Sequence, residues 1–259
     1  VLFPIKSLDG IAVESATLLA GGPLMFDRQF ALYDLDGNCV NGKREPQLNR
    51  IRTTYDLSEY TVSVSAPSRP QPERFNLVEE QFEIAKWFST VLDRAVVLRR
   101  DEELAFPDDT YSRGPTIISY GSIQTIDSWF GISDLEETRR RFRTNIELNV
   151  EIPFWEDRLF GKRGDDVSIR FGDAQLWGAG PCKRCIVPTR DSLDGSVTDD
   201  FQAIFSKQRL ATFPEWANRA RFGPLMFRVA VNTRSDGTQE GKCIRVGDRL
   251  ILDESSETE

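Results

Sequence analysis

Cys182 and Cys185 stand three apart in the stretch GPCKRCIVPTRD, with Lys183 and Arg184 between them. A thiolate is a nucleophile and a ligand for soft metals, and neighbouring cations favour the ionised form. The pair admits four chemistries. A zinc site would need further ligands from Cys39, Cys243 or carboxylates, and both of those cysteines stand alone in strand-like sequence rather than in the close pairs zinc favours. A thiol–disulfide couple belongs at a helix start inside a strand–helix–strand unit, which is not the pattern around these residues. Burial as two packed core thiols is opposed by Pro181, Lys183 and Arg184, which resist enclosure of the whole segment. A thiolate holding a metal that arrives with its own anionic ligand accounts for the flanking cations, since they lower the thiol pKa and attract the anion.

The 259 residues include no histidine. Imidazole-based triads, metalloprotease helices and His-ligated haem are excluded, so any proton must move through Asp, Glu, Lys, Tyr, Cys or water. The formal charge is −8, which disfavours nucleic acid or an anionic membrane as main partner. There is no apolar run long enough for a membrane span. The opening VLFPIKSLDG lacks the charged-then-apolar order of a signal peptide and reads as a first strand. Four cysteines in a chain of this length do not make a disulfide framework; they point to free or metal-bound thiols in a reducing, cytoplasmic setting.

Two local patterns imitate other sites. Asp34, Asp36, Asn38 and Glu45 fall at ligand positions of a calcium loop, but Cys39 stands where that loop needs glycine and the flanks read as strands. GAGPCK begins like a dinucleotide fingerprint, with Lys183 in place of the third glycine and no strand–turn–helix unit around it. No Walker A sequence is present.

The elements that must carry the cysteines are mostly strands. RQFALYDLDGNCV reads as a hairpin with an Asp-Gly turn, and EYTVSVSAP alternates with Val62 and Val64 on one face. The prolines of SAPSRPQPERF predict a loop. EEQFEIAKWFSTVLD predicts a helix with Phe82, Ala85, Trp87, Phe88, Val91 and Leu92 as its apolar stripe. RAVVLRR is a strand, and the polar DEELAFPDDTYSRG a seam between two halves. GPTIISY then predicts a strand, GSIQTIDSWFG and SDLEETRRRF two helices, the second capped by Ser133 with Glu136 as reciprocal partner. NIELNVEI is a strand, DDVSIRFGDAQLWG a hairpin with a Gly-Asp turn, DDFQAIFSKQRLATF a helix, and PLMFRVAVNT and KCIRVGDRLIL closing strands. The cysteine motif falls where a strand leaves the sheet.

GPCKRCIVPTRD resembles the signature of MOSC domains, the fold of the C-terminal part of molybdenum-cofactor sulfurases. FPIKSLDGIAVESATLLAGGPLMFDRQFALYDLDG resembles the β-barrel domain that precedes MOSC. Their order and spacing are similar to those of the group that includes the mitochondrial amidoxime-reducing component and its bacterial relatives, over nearly the whole chain. The resemblance implies a β-rich α+β fold: an N-terminal barrel-like domain over 1–110, a MOSC β-barrel domain with peripheral helices over 111–253, and a solvated tail over 254–259. Three stretches depart from the family pattern: Lys43-Arg44 ahead of Glu45-Pro46, Arg113-Gly114-Pro115, and Pro188-Thr189-Arg190-Asp191.

The resemblance also implies a molybdopterin enzyme. By analogy Cys185 is the protein ligand to molybdenum, and Cys182 lies beside it without being required. Lys6, Ser7 and Arg28 would hold the pterin phosphate, Arg143 and Asn145 would line the pocket, and Lys183 and Arg184 would add positive charge. Arginine forks two hydrogen bonds onto phosphate oxygens and lysine adds a point charge, which suits such a ligand. The implied activity is two-electron reduction of small N-hydroxylated compounds, with Asp191 as candidate proton source. No cysteine cluster like the ferredoxin domain appended in some relatives follows, so a separate small haem or iron–sulfur carrier is expected to deliver electrons. The alternative is a carrier that binds the cofactor, or a persulfide on Cys185, and hands it on.

Overall fold

The computed structural model describes residues 1–252. The tail expected over 254–259, and position 253, lie outside the described residues.

The first half comprises β1 (Ser15–Thr17), β2 (Phe30–Asp34), β3 (Cys39–Val40), β4 (Arg52–Asp56), β5 (Thr61–Ala66), β6 (Arg69–Asn76), α1 (Gln81–Val91) and β7 (Val96–Arg100). The second half comprises β8 (Ile117–Ser119), α2 (Tyr120–Phe130), α3 (Leu135–Phe142), β9 (Ile146–Leu148), β10 (Val167–Phe171), β11 (Ala174–Lys183), α4 (Phe201–Ala211), β12 (Arg228–Arg234), β13 (Cys243–Arg245) and β14 (Leu250–Leu252). The result is the strand-rich α+β fold that the resemblance implies.

Two three-stranded sheets, ordered β3-β2-β7 and β4-β5-β6, enclose the first core with α1. Val62 and Val64 are fully buried in it, as their alternation requires; each such side chain is worth about 1.5–3 kcal/mol relative to exposure. The SAPSRPQPERF segment is strand β6 rather than a loop. It is an edge strand, and Pro70 and Pro72, two apart, both direct their missing N–H to the same side, so the ladder to β5 survives. In α1, Phe82 is 75% exposed and Ile84 takes its expected place in the core. Two residues of helix turn through about 200°, which sets Phe82 on the face opposite Ile84.

The second half is built on a six-stranded sheet, β14-β10-β11-β12-β8-β9, antiparallel except for the β8–β9 pair. The helix α3 is capped by Asp134, whose carboxylate accepts from the Glu136 N–H at 2.9 Å. Ser133, the expected cap, has φ 57° and is turned out of the extended geometry that a cap needs.

The boundary expected at 110/111 does not separate the cores cleanly. β1 pairs with β13, and Leu2, Leu18 and Leu24 pack with Ile117, Ile169, Leu176 and Val231 in the second core. Ile5, Leu8 and Phe30 pack in the first. The chain therefore crosses between cores four times in these segments: between Leu2 and Ile5, back between Leu8 and Ile11, again near 25–29, and through 101–114.

Candidate functional site

These crossings bring polar residues to one place. A polar side chain between two buried anchors cannot enter either core without losing its hydrogen bonds, so it faces the gap. Lys6 and Ser7 lie between Leu2 and Leu8, and Arg28 between Leu24 and Phe30. All three line a cleft of about 1640 Å³ between the halves, together with Cys182 and Cys185. Arg143, Asn145, Lys183 and Arg184 line it too. Of the residues given a role by the resemblance, Asp191 alone is missing from its wall. The Asp191 carboxylate accepts from Arg141 at 3.2 Å and from the N–H groups of Leu193 and Asp194 at 2.9 and 3.3 Å, outside the cleft.

The cysteine loop is held from several directions. β11 ends at Lys183, and the Arg184 N–H donates to the Phe227 carbonyl at 3.1 Å. The Arg184 guanidinium donates to Val229 O at 3.1 Å and Phe142 O at 2.9 Å, bracing the motif against β12 and the end of α3. Cys185 follows, half-buried, ahead of a single 3-10 turn over Val187–Thr189. Arg190, buried just after that turn, donates to the Gly42 carbonyl, and the Gly42 N–H donates to Ser7 Oγ at 3.1 Å. Cys185 is thus fixed relative to Ser7 through one short chain of contacts. Cys182 also packs against the cluster that contains Phe142 and Val229. Cys39 and Cys243 are free thiols, and no group of three or more His, Cys, Asp or Glu among the described residues could hold a bare metal ion.

The opposite wall is cationic. Arg143 ends α3 in the left-handed region at φ 52°, a geometry usually left to glycine, and this turn sends its side chain into the gap rather than along the helix. Burial, and then the nearby Arg28, lower its pKa to about 10. Arg28 pairs with Asp27, and Lys6 donates to Phe106 O at 2.7 Å. Lys6 and Lys43 both reach Asp108, at 2.6 and 2.8 Å. Partial burial opposes ionisation of Asp108, but the two lysines hold its carboxyl well below the usual range. Burial likewise works against the charge on Lys43, while its hydrogen bond to Asp108 and that carboxylate's charge raise its pKa. Asn145 is committed to structure: its Oδ1 accepts from the Thr116 N–H and Oγ1 at 3.0 and 3.1 Å, clamping the entry to β8.

Sequence reasoning missed three contributors. Lys43 registered only as a departure from a pattern, Asp108 as part of a polar seam, and Arg190 as a neighbour of Asp191. The adjacent acids in FPDDT and the arginine inside PTRD were the available signals, and neither says what it faces.

Arg143 Nη2 and Arg184 Nη2 are buried with no hydrogen-bond partner among the described residues. An orphaned buried guanidinium nitrogen is costly, and an anionic ligand with several acceptor oxygens would satisfy both. With a soft sulfur donor at Cys185 in the same cleft, the residues present fit a ligand with a phosphoryl end and a metal end.

Comparison with known proteins gives the family. Residues 1–95 match the MOSC N-terminal beta barrel domain, and residues 113–251 match the MOSC domain. A molybdenum cofactor sulfurase from Oryza sativa subsp. japonica is 25% identical, with 96% of this chain and 34% of that protein covered. Molybdenum cofactor sulfurases from Arabidopsis thaliana and Homo sapiens are 22% and 23% identical, covering 87% and 80% of this chain and 32% and 27% of theirs. The chain spans about a third of the length of these relatives. No helix among the described residues is long and apolar enough to cross a membrane. With the MOSC match covering more than half of its residues and the barrel match occupying most of the remainder, the chain belongs to the MOSC domain family and carries the MOSC N-terminal barrel ahead of that domain.

Proposed function

We propose that the protein binds the molybdenum cofactor in this cleft and reduces small N-hydroxylated compounds. The observation that carries the reading is the single cleft that joins Cys185 to Lys6, Ser7, Arg28 and Arg143, two of whose lining arginines, Arg143 and Arg184, each keep a buried nitrogen without a partner among the described residues. Cys185 would supply a thiolate to the metal, and Lys6, Ser7, Arg28 and Arg143 would take the phosphoryl end. Lys183 and Arg184 would add charge near the metal end, with Arg184 also bracing the loop. When bound, the cofactor supplies two-electron redox chemistry at the metal.

The chain's own residues hold and orient that group. Proton delivery falls to water. Asp9 accepts from the Thr53 N–H, Asp27 from the Phe3 N–H, and Asp108 pairs with lysines, so these three carboxylates of the wall are already engaged, and Asp191 lies off the wall. A separate small haem or iron–sulfur protein would donate electrons. The four free thiols support a reducing, cytoplasmic setting.

A carrier or sulfur-transfer role for Cys185 is the second reading, favoured by the names of the relatives, which are sulfurases of the same cofactor. Two measurements decide. Expressed in a host that makes the cofactor, the protein should hold stoichiometric molybdenum, and Cys185→Ala should hold little; equal metal in both removes Cys185 from its role. Loaded protein should reduce benzamidoxime with an artificial electron donor. Tight cofactor binding without turnover would favour the carrier.

A further inference from the structure

Asp108 occupies the space between the ammonium groups of Lys6 and Lys43, with one carboxylate oxygen on each, at 2.6 and 2.8 Å. This is how a phosphoryl group would be held by two lysines: two oxygens, two point charges. Lys6 is held apart from Asp108: its ammonium donates to Phe106 O and its backbone N–H to Phe30 O. The backbone of Lys43 is tied by its own N–H to Asn41 and through Gly42 to Ser7 and Arg190, while its ammonium has Asp108 as its ion-pair partner. The backbone that carries both lysines would therefore stay in place if the carboxylate left.

The carboxylate is the more movable partner. Its side chain is 56% exposed, against 11% for Lys6. It rides on a segment with little backbone support. The Phe106 N–H is bonded to Arg28 O and the Gly114 N–H to Thr233 O, while among the described residues 107–113 make no backbone–backbone hydrogen bond. Asp109 caps the turn through the N–H groups of Tyr111 and Ser112 and accepts from Asn232 at 3.1 Å. Behind the segment lies a second cavity of about 390 Å³, lined by Tyr33, Cys39 and Phe106. Pro107, Asp108 and Thr110 line both cavities, so the segment is the partition between them and has space to withdraw.

We infer that Asp108 is a built-in competitor for the phosphoryl group: a carboxylate clasp that closes the two-lysine site when it is empty and is displaced, with residues 107–113, when a phosphorylated ligand enters. This rests on the reading of Lys6 as part of the anion site, and it assigns Lys43 as the second lysine of that site. A site that is only partly available binds with an affinity reduced by the available fraction, so removing the clasp should tighten binding.

The test uses the full chain made without cofactor, titrated calorimetrically with inorganic phosphate and with pyrophosphate at low salt. Asp108→Asn should lower the dissociation constant by about tenfold, and Lys6→Gln and Lys43→Gln should each abolish the gain when added to it. Hydrogen exchange at the Tyr111 and Ser112 amides, which donate to Asp109, should rise when phosphate is added to the unsubstituted chain, and should already be raised in Asp108→Asn without ligand. Unchanged or weaker binding by Asp108→Asn, no binding by either protein, or binding that leaves exchange at these two amides unaltered overturns the clasp. None of these measurements needs molybdenum. A chain that holds the metal but fails here keeps the proposed function and loses the clasp, and one that passes here but holds no metal does the reverse.

Discussion

Arg28 donates a hydrogen bond to the backbone carbonyl of Arg143 at 3.3 Å, and both guanidiniums lie over the ring of Phe3, at 5.1 and 4.2 Å from its centroid. Two cations are held close in a site where, among the described residues, only Asp27 pairs with one of them. Such a pair is costly until an anion arrives. With its pKa lowered to about 10, Arg143 holds its charge at neutral pH at a cost of roughly 3 kcal/mol. That cost is present below pH 10 and is relieved only as the group loses its proton above it.

Arg143→Met should therefore move stability and binding in opposite directions. In urea denaturation of the ligand-free protein the unfolding free energy should rise, by at most about 3 kcal/mol. Cofactor retained after gel filtration should fall at least about tenfold, the scale of one lost charge-assisted contact. An arginine with a purely structural role would lower both.

Cys182 and Cys185 should separate in a similar way. Cys182 is half-buried and packs beside Phe142 and Val229, so Cys182→Ala deletes a small packed group and should cost about 1 kcal/mol. Its molybdenum content should match that of the unsubstituted protein. Metal lost from Cys182→Ala at a level equal to that of Cys185→Ala would mean that both sulfurs are needed at the metal end.

The legible parts of the molecule were those that depend on local pattern. The 30–40 and 167–183 hairpins announce themselves by alternation around an Asp-Gly or Gly-Asp turn, and Val62 and Val64 by period two. The cysteine motif was placed where β11 leaves its sheet because strand and turn signals meet there. What failed depends on surroundings that a single sequence does not carry. The prolines of β6 are harmless only because no further strand pairs on their side. Phe82 is apolar but lies off the stripe. The β1–β13 pairing joins residues 15 and 245, and nothing in either segment names the other. The same non-local crossing collects the cleft, so Lys6 and Arg28 were reached through resemblance, while Asp108 and Arg190 became visible only once the chain was folded.

A close backbone approach within the second half gives a third expectation. A Cβ at Gly178 on β11 would lie 1.6 Å from the Leu159 carbonyl oxygen. Backbone cannot yield as a flexible side chain does, so Gly178→Ala should cost about 3 kcal/mol or more and lower the thermal midpoint by several degrees. Because β11 delivers the cysteine loop, cofactor retention should fall with it. A variant of unchanged midpoint would mean that the 155–159 turn can shift away from the strand.

The buried acids beneath this sheet set a pH dependence. Asp157 pairs with Arg209, both essentially without exposure, and Arg209 lies over the rings of Phe154, Phe213 and Phe222. Glu156, fully buried, accepts from Ser119 and Ser122. One arginine faces two carboxyls. Burial pushes Asp157 up to about 7 although Arg209 opposes it, and burial also raises Glu156. An acid whose folded pKa lies above its unfolded value keeps a proton that the unfolded chain has released, so its contribution to stability falls as pH rises between about 4 and 7. Glu156→Gln preserves the hydrogen-bonding shape without the titration, and should flatten the fall in urea midpoint between pH 5 and pH 8. Asp157→Asn leaves Arg209 charged and unbalanced in the core, and should cost about 3–5 kcal/mol. If Glu156→Gln were as damaging as Asp157→Asn at pH 7, Glu156 would have to be ionised in the folded protein, against the direction in which burial moves it.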